Sequence, residues 1–84
     1  MSLNIFISSP DTFSERRFDP HLTVGALKAK LEPITGIPVL AQVLRRFPSP
    51  DDVKDVTVPG VGLQDDARTL EEEGVREWEC ISVS

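Results

Sequence analysis

Between Leu22 and Pro38, LTVGALKAKLEPITGIP, the apolar residues recur with the period of a helix. Val24, Leu27, Leu31 and Ile34 are spaced three, four and three apart, one stripe of a 3.6-residue repeat, with Lys28, Lys30 and Glu32 outside it. Thr23 supplies an N-cap, because its hydroxyl can accept a bond from an amide that the first turn leaves unpaired. Gly36 can take the positive φ that ends a helix, and Pro38 cannot continue one. Pro33 lacks an N–H and crowds the preceding turn, so the helix is expected to end or kink near Glu32.

Elsewhere the period shortens to two. Leu3, Ile5 and Ile7 alternate with Asn4, Phe6 and Ser8, which predicts a strand over 3–8 with the first set inward. Ser9-Pro10-Asp11 is turn chemistry, so a hairpin follows, with a return strand over Phe13–Asp19 and Phe18 inward. Arg16 and Arg17 make that edge charged, which discourages pairing with another chain. Ala41–Phe47 reads as a strand with Leu44 inward. Residues 48–69 are polar and rich in Pro, Gly and Asp. They read as a long loop holding one edge strand at Val56-Thr57-Val58. Leu70–Gly74 can form one helical turn, Val75 is a core anchor, and Trp78–Ser84 makes a last strand with Ile81 and Val83 in, Cys80 and Ser82 out. The plan is α+β: one helix across a mixed sheet of four to five strands, with the first and last strands side by side in the middle.

The 84 residues make a single domain, 1–84, with one core; a domain this small buries only roughly 60% of its unfolded surface. Nine basic against fourteen acidic residues, a net charge of −5, oppose nucleic acid and anionic membranes as general partners. No apolar run approaches the ~18 residues of a membrane span, and MSLNIFISS lacks the basic region of a signal peptide, so a cytoplasmic protein is expected. Cys80 is the single cysteine, which excludes an internal disulfide and a cysteine-based metal cage.

Catalytic chemistry is thin. His21 lies between Pro20 and Leu22 just before the helix and reads as an exposed turn residue; no nucleophile accompanies it. Asp65, Asp66, Glu71, Glu72 and Glu73 lack the spacing of a calcium loop and read as a solvated acidic face. Gly60-Val61-Gly62 has no strong strand before it or helix after it, so loop flexibility is favoured over phosphate binding. Cys80, with Glu79 beside it to raise its pKa, is expected to be inert. Trp78 reads as cover for a core edge, with an exposed anchor as the alternative. Phe6 points away from the helix, with Val43 and Arg45 on the same open sheet face and Arg16 approaching from the edge. That face is a candidate docking surface for an acidic protein.

Several stretches carry a resemblance that spans nearly the whole chain. NIFIS, DPHLTVGALKAKLEPITGIP and RTLEEEGVREWECISV resemble the first strand, the helix with its Gly-Ile-Pro exit, and the final turn and strand of the ubiquitin superfamily. The resemblance implies a β-grasp fold. More narrowly, Ser14-Glu15-Arg16-Arg17, Leu22-Thr23 and Leu31–Pro38, followed by a Pro- and Asp-rich loop, are similar to the N-terminal ubiquitin-like domains of the tubulin-folding cofactor B family. That similarity implies a non-enzymatic interaction domain without cofactors, monomeric by itself, cytoplasmic and cytoskeleton-associated. Its implied partners are α-tubulin and other tubulin-folding cofactors. The alternative is a generic ubiquitin-like adaptor of the ubiquitin–proteasome pathway.

Two departures bear on this. The chain shows no Gly-Gly tail, so conjugation is not expected, and the glycine-rich cytoskeleton-associated domain of cofactor B is not within these residues, as in an excised domain. The positions of ubiquitin's apolar receptor patch fall on Arg45, Ser82 and Ser84, which makes the patch polar and opposes ubiquitin-receptor mimicry. The residues expected to meet a partner are therefore Phe6, Arg16, Val43, Arg45 and Ser82, with loop 48–69 as a second contact. A small hydrolase or a metal protein is the reading from another class.

Overall fold

The computed structural model describes residues 2–84. Its elements are β1 (Leu3–Ser8), β2 (Phe13–Phe18), α1 (Val24–Thr35), β3 (Leu44–Phe47), β4 (Val61–Gly62) and β5 (Cys80–Val83), with 3₁₀ turns at Val39–Ala41 and Pro50–Lys54. The strands form one mixed sheet in the order β2-β1-β5-β3-β4, so the first and last strands are neighbours inside it. They run parallel, with Ile7 beside Ile81, while β2 and β3 lie antiparallel to β1 and β5.

The helix begins where its cap residue dictates: the Ala26 N–H donates to Thr23 Oγ1 at 3.2 Å. Two further amides of the first turn, on Val24 and Gly25, donate to the carbonyls of Arg68 and Asp66, so the segment before Leu70 serves as an external cap. Val24, Leu27 and Leu31 are fully buried against Leu3, Ile5, Ile7, Leu44, Ile81 and Val83, with Ile34 packed at the margin. Leu63, Leu70 and Val75 close the same core from below the helix N-terminus. Thr69 and Glu72 hold the turn between them reciprocally: each side-chain oxygen accepts from the other's backbone N–H, at 2.9 and 3.1 Å.

Four boundaries differ from expectation. α1 runs past Pro33 to Thr35, because the proline sits in the last turn, where only one ladder bond is forfeited. The Thr35 hydroxyl donates to the Leu31 carbonyl, and Gly36, at φ 75°, closes the end with a bond to Glu32. The strand expected over Ala41–Phe47 starts only at Leu44, because the chain first makes the 3₁₀ turn and then buries Gln42. Val56-Thr57-Val58 is no strand: Asp55 Oδ1 accepts from both the N–H and the hydroxyl of Thr57, bending the chain there, and the short edge strand forms at Val61–Gly62 instead. These bonds, the Thr57 hydroxyl's first, also hold the Asp55 pKa below its ordinary value. The last strand begins at Cys80, not Trp78, because Trp78 adopts φ 65° and turns the chain before pairing starts.

Gln42 is a buried polar residue that the alternation left unremarked. Its Nε2 donates to the carbonyls of Lys28 and Ile37, both at 2.9 Å, pinning the helix to the segment that leaves it. Gln42→Ala strands the Ile37 carbonyl and opens a small void, so stability is expected to fall by about 2 kcal/mol with an unchanged denaturant slope in urea unfolding.

Candidate functional site

The sheet face turned away from α1 carries the residues left over for recognition. Register sets its membership: because Leu44, Ile81 and Val83 point to the core, Val43, Arg45 and Phe47 on β3 and its approach share the outer face with Cys80, Ser82 and Ser84. On the other side of β5, Phe6 and Ser8 of β1 lie beside Cys80 and Ser82, and Phe13, Glu15 and Arg17 of β2 complete the surface.

Phe6, Val43, Arg45 and Ser82 therefore occupy one face. Arg16 does not. It pairs with Ile5 and so points to the helix side of the sheet, whereas Arg17 pairs with Asn4, donates to Asn4 Oδ1, and is the arginine on the outer face. The correction follows from period two alone, since Phe18 inward requires Arg16 inward.

Loop 48–60 also changes the open face that the alternation suggests. The 3₁₀ turn Pro50–Lys54 lies across β1, β3 and β5, and Arg45 reaches into the loop to donate to the Pro59 carbonyl at 3.1 Å. Beneath the loop, Phe47 and Cys80 sit directly opposite each other and are both buried. Cys80 lies on the outer face, as the alternation predicts, but is fully covered. Desolvation, not the neighbouring Glu79, pushes its thiol up to about 11. Glu79 is turned elsewhere, pairing with Arg46 at 3.4 Å and accepting from the Arg76 N–H.

The sign of the resulting pH dependence is fixed. A thiol whose folded pKa is raised contributes stability that is complete below its unfolded pKa near 9 and is lost as pH rises through about 11. Cys80→Ala should remove that slope between pH 9 and 11, on the order of 1–2 kcal/mol, from urea midpoints measured against pH. The chain has no tyrosine to obscure the comparison.

The end of the face beside β1 and β2 is aromatic. The rings of Phe6 and Phe13 stack with centroids 5.6 Å apart and planes 15° apart, and Trp78 lies 6.1 Å from Phe6 on its other side. Phe13 and Trp78 remain 59% and 50% exposed. Trp78 is thus half exposed on the outer face instead of buried as core cover, held there by a left-handed backbone and by its N–H donating to the Asn4 carbonyl at 2.7 Å. Non-glycine residues seldom adopt that conformation, which costs of order 1–2 kcal/mol. Phe13 escaped notice as a site residue, although parity from Phe18 puts it outward; the turn at Trp78 has no signature in REWEC.

His21 is exposed, 3.4 Å from Asp19 and 3.3 Å from Glu71. The acidic residues near the helix start are partly paired, Asp66 with Lys28 at 3.0 Å and Glu73 with Arg68 at 3.4 Å. No group of three His, Cys, Asp or Glu side chains that could hold a metal occurs among the described residues. Glycine at position 60, at φ 72°, leaves room for the Phe47 ring.

A single helix across a mixed five-stranded sheet, with parallel first and last strands, is the β-grasp arrangement of ubiquitin. The model of the ubiquitin-like domain family matches residues 2–84, and the chain belongs to that family, whose members are generally non-catalytic protein-interaction modules. Among solved structures, the ubiquitin-like domain of an Arabidopsis thaliana protein superposes with a TM-score of 0.78 at 24% identity, over 99% of this chain and 76% of that one. The ubiquitin-like domain from tubulin-binding cofactor B gives 0.75 at 24% identity, over 98% and 87%. The C-terminal ubiquitin-like domain of mouse tubulin-specific chaperone e gives 0.75 at 20%, over 98% and 84%. At these identities the likeness establishes the fold. No curated protein matches the sequence.

Proposed function

We propose that this is a non-enzymatic protein-interaction domain of the tubulin-folding cofactor B type, acting in the cytoplasm on the capture and transfer of α-tubulin with partner cofactors. The observation that carries it is the make-up of the outer face. Where ubiquitin presents an apolar patch, this face has Arg45, Ser82 and Ser84, and apart from Val43 its exposed apolar area lies in the platform of Phe6, Phe13 and Trp78. Aromatic anchors of this kind dominate the energetics of protein interfaces. Arg17 and Arg45 on the same face suit an acidic partner such as tubulin. The similarity to ubiquitin-like domains of tubulin-binding cofactor B and tubulin-specific chaperone e supports the same reading.

A generic ubiquitin-pathway adaptor is the competing function, and the two separate in one experiment. Labelled domain is titrated in parallel with α-tubulin, with a partner tubulin-folding cofactor and with a ubiquitin-binding helix. Binding to either of the first two and not to the helix is expected. Binding to the helix alone, or to none of the three, overturns the proposal.

A further inference from the structure

The turn that covers the outer face is lightly held. Pro50–Lys54 lies across β1, β3 and β5, yet none of its residues is buried, and a groove lined by Ser8, Pro10, Phe13, Pro50 and Val53 separates it from the β1–β2 hairpin. With little apolar area beneath the turn itself, polar contacts at its ends carry a larger share of what keeps it down. After the turn, Arg45 donates to the Pro59 carbonyl. Before it stands Ser49, whose hydroxyl donates to Asp52 Oδ2 at 3.2 Å while the Asp52 N–H donates to the Ser49 carbonyl.

The residues around Ser49 suit a phosphoryl acceptor. Pro50 follows directly, with no N–H and a fixed φ, which favours a kinase whose cleft accepts proline after the acceptor. Ser49 is extended, at φ −149° and ψ 161°, half-buried, and placed in the long connection between β3 and β4. The other Ser-Pro pair, Ser9-Pro10, is locked in the hairpin turn. There the Ser9 N–H donates to the Thr12 carbonyl at 2.8 Å and its Oγ accepts from the Thr12 N–H at 3.1 Å, so it cannot straighten without breaking the end of the β1–β2 ladder.

We propose that Ser49 is a phosphorylation site for a proline-directed protein kinase, and that its phosphate releases the Pro50–Lys54 turn from the sheet. The γ-phosphoryl group of ATP passes to Ser49 Oγ. The new O–P bond forms as the bond to the ADP oxygen breaks, and the hydroxyl proton leaves to the kinase's base.

Two effects of a phosphate here oppose each other. A helix N-terminus attracts an anion, but this helix is a 3₁₀ turn of five residues, so its dipole is small. Against that, phosphorylation removes the proton that Ser49 donates to Asp52 and adds about −1.5 to −2 charges beside Asp51 and Asp52. Neither aspartate forms an ion pair among the described residues. The arginines of β3 are engaged, Arg45 by Pro59 and Arg46 by Glu79, and Lys54 lies at the opposite end of the turn. Repulsion therefore wins. The turn lifts and uncovers Phe47 and Cys80.

Incubating the domain with ATP and a proline-directed kinase should place phosphate on Ser49, read by mass spectrometry, and Ser49→Ala should abolish it. A synthetic domain carrying phosphoserine at position 49 tests the consequence separately. Its Cys80 should react with a thiol reagent at least tenfold faster than in the unmodified protein, while the amides of β1 and α1 keep their protection from hydrogen exchange. Ser49→Ala loses the same hydrogen bond without gaining charge and should leave Cys80 covered. Asp51→Asn combined with Asp52→Asn should return the phosphorylated protein to slow reaction. No phosphate on Ser49, an unchanged Cys80 rate in the phosphoserine protein, equal release by Ser49→Ala, or release that persists in the asparagine pair would each overturn the proposal. None of these readouts involves a binding partner, so the result is independent of what the outer face recognises.

Discussion

Gly60→Val is expected to destabilise the domain by about 2–4 kcal/mol and to make Cys80 reactive toward thiol reagents. Two costs add. Gly60 sits at φ 72°, where a β-branched residue is strained, and a Cβ there would lie 2.7 Å from the tip of the Phe47 ring. The ring is flexible in principle but buried, so it can yield only by swinging outward from beneath the loop. That movement uncovers Cys80, its neighbour across the β3–β5 ladder. Wild-type Cys80, with its thiol pushed up to about 11 and no exposed surface, should react only through unfolding. Gly60→Val should react faster than its own global unfolding permits. Equal stability, or a thiol that still reacts only on global unfolding, would show that Phe47 and Gly60 do not hold the loop down.

The second large effect is on binding. Trp78→Ala should weaken partner affinity by at least thirtyfold, about 2 kcal/mol, the scale of a buried aromatic hot spot. Trp78→Gly separates recognition from folding. It should lose the same affinity while relieving the left-handed strain at φ 65°, so its unfolding midpoint should exceed that of Trp78→Ala. Calorimetric titration with the partner and urea unfolding of the three proteins check both halves. A Trp78→Gly protein that binds normally would remove the aromatic platform from the interface.

Much of the fold could be read from local chemistry. Thr23 and Gly36 mark the ends of α1 because capping satisfies specific backbone groups, and the stripe from Val24 to Ile34 declares which face meets the sheet. Strand β1 is legible for a related reason: it buries one face, so alternation is enforced, and in β5 the same alternation turns Ile81 and Val83 to the core. The site was less legible, and the failures have different origins. Arg16 was misplaced although parity from Phe18 decides its side, so the information was present in the chain. The burial of Cys80 was not. It arises because residues 48–60 fold back over the sheet, a tertiary contact that depends on Gly60 leaving space for Phe47 and that no periodicity records. Trp78 is a third case. Its exposure follows from a positive φ, which composition gives no reason to expect of a tryptophan.

Charge placement shows the same division. The net charge of −5 argues against an acidic partner for the whole surface, yet the arginines are not spread evenly. Arg17 and Arg45 lie on the outer face, and Arg16 with Lys30 on the helix side of the β2 edge. Only strand register turns the string SERRF into two cationic positions on opposite faces. An acidic partner is thus compatible with an acidic domain, because contact is made with a face and not with the average charge.

The most direct test of the partner surface is a nitrogen-15 heteronuclear titration of the domain with α-tubulin, following the indole N–H of Trp78 and the amides of Phe6, Phe13, Val43, Arg45 and Ser82. Selective broadening or shifts at these positions, with the helix residues Ala29 and Glu32 unmoved, is the result predicted for recognition through the outer sheet face. Unchanged outer-face resonances at saturating tubulin, or perturbation centred on α1, would contradict it.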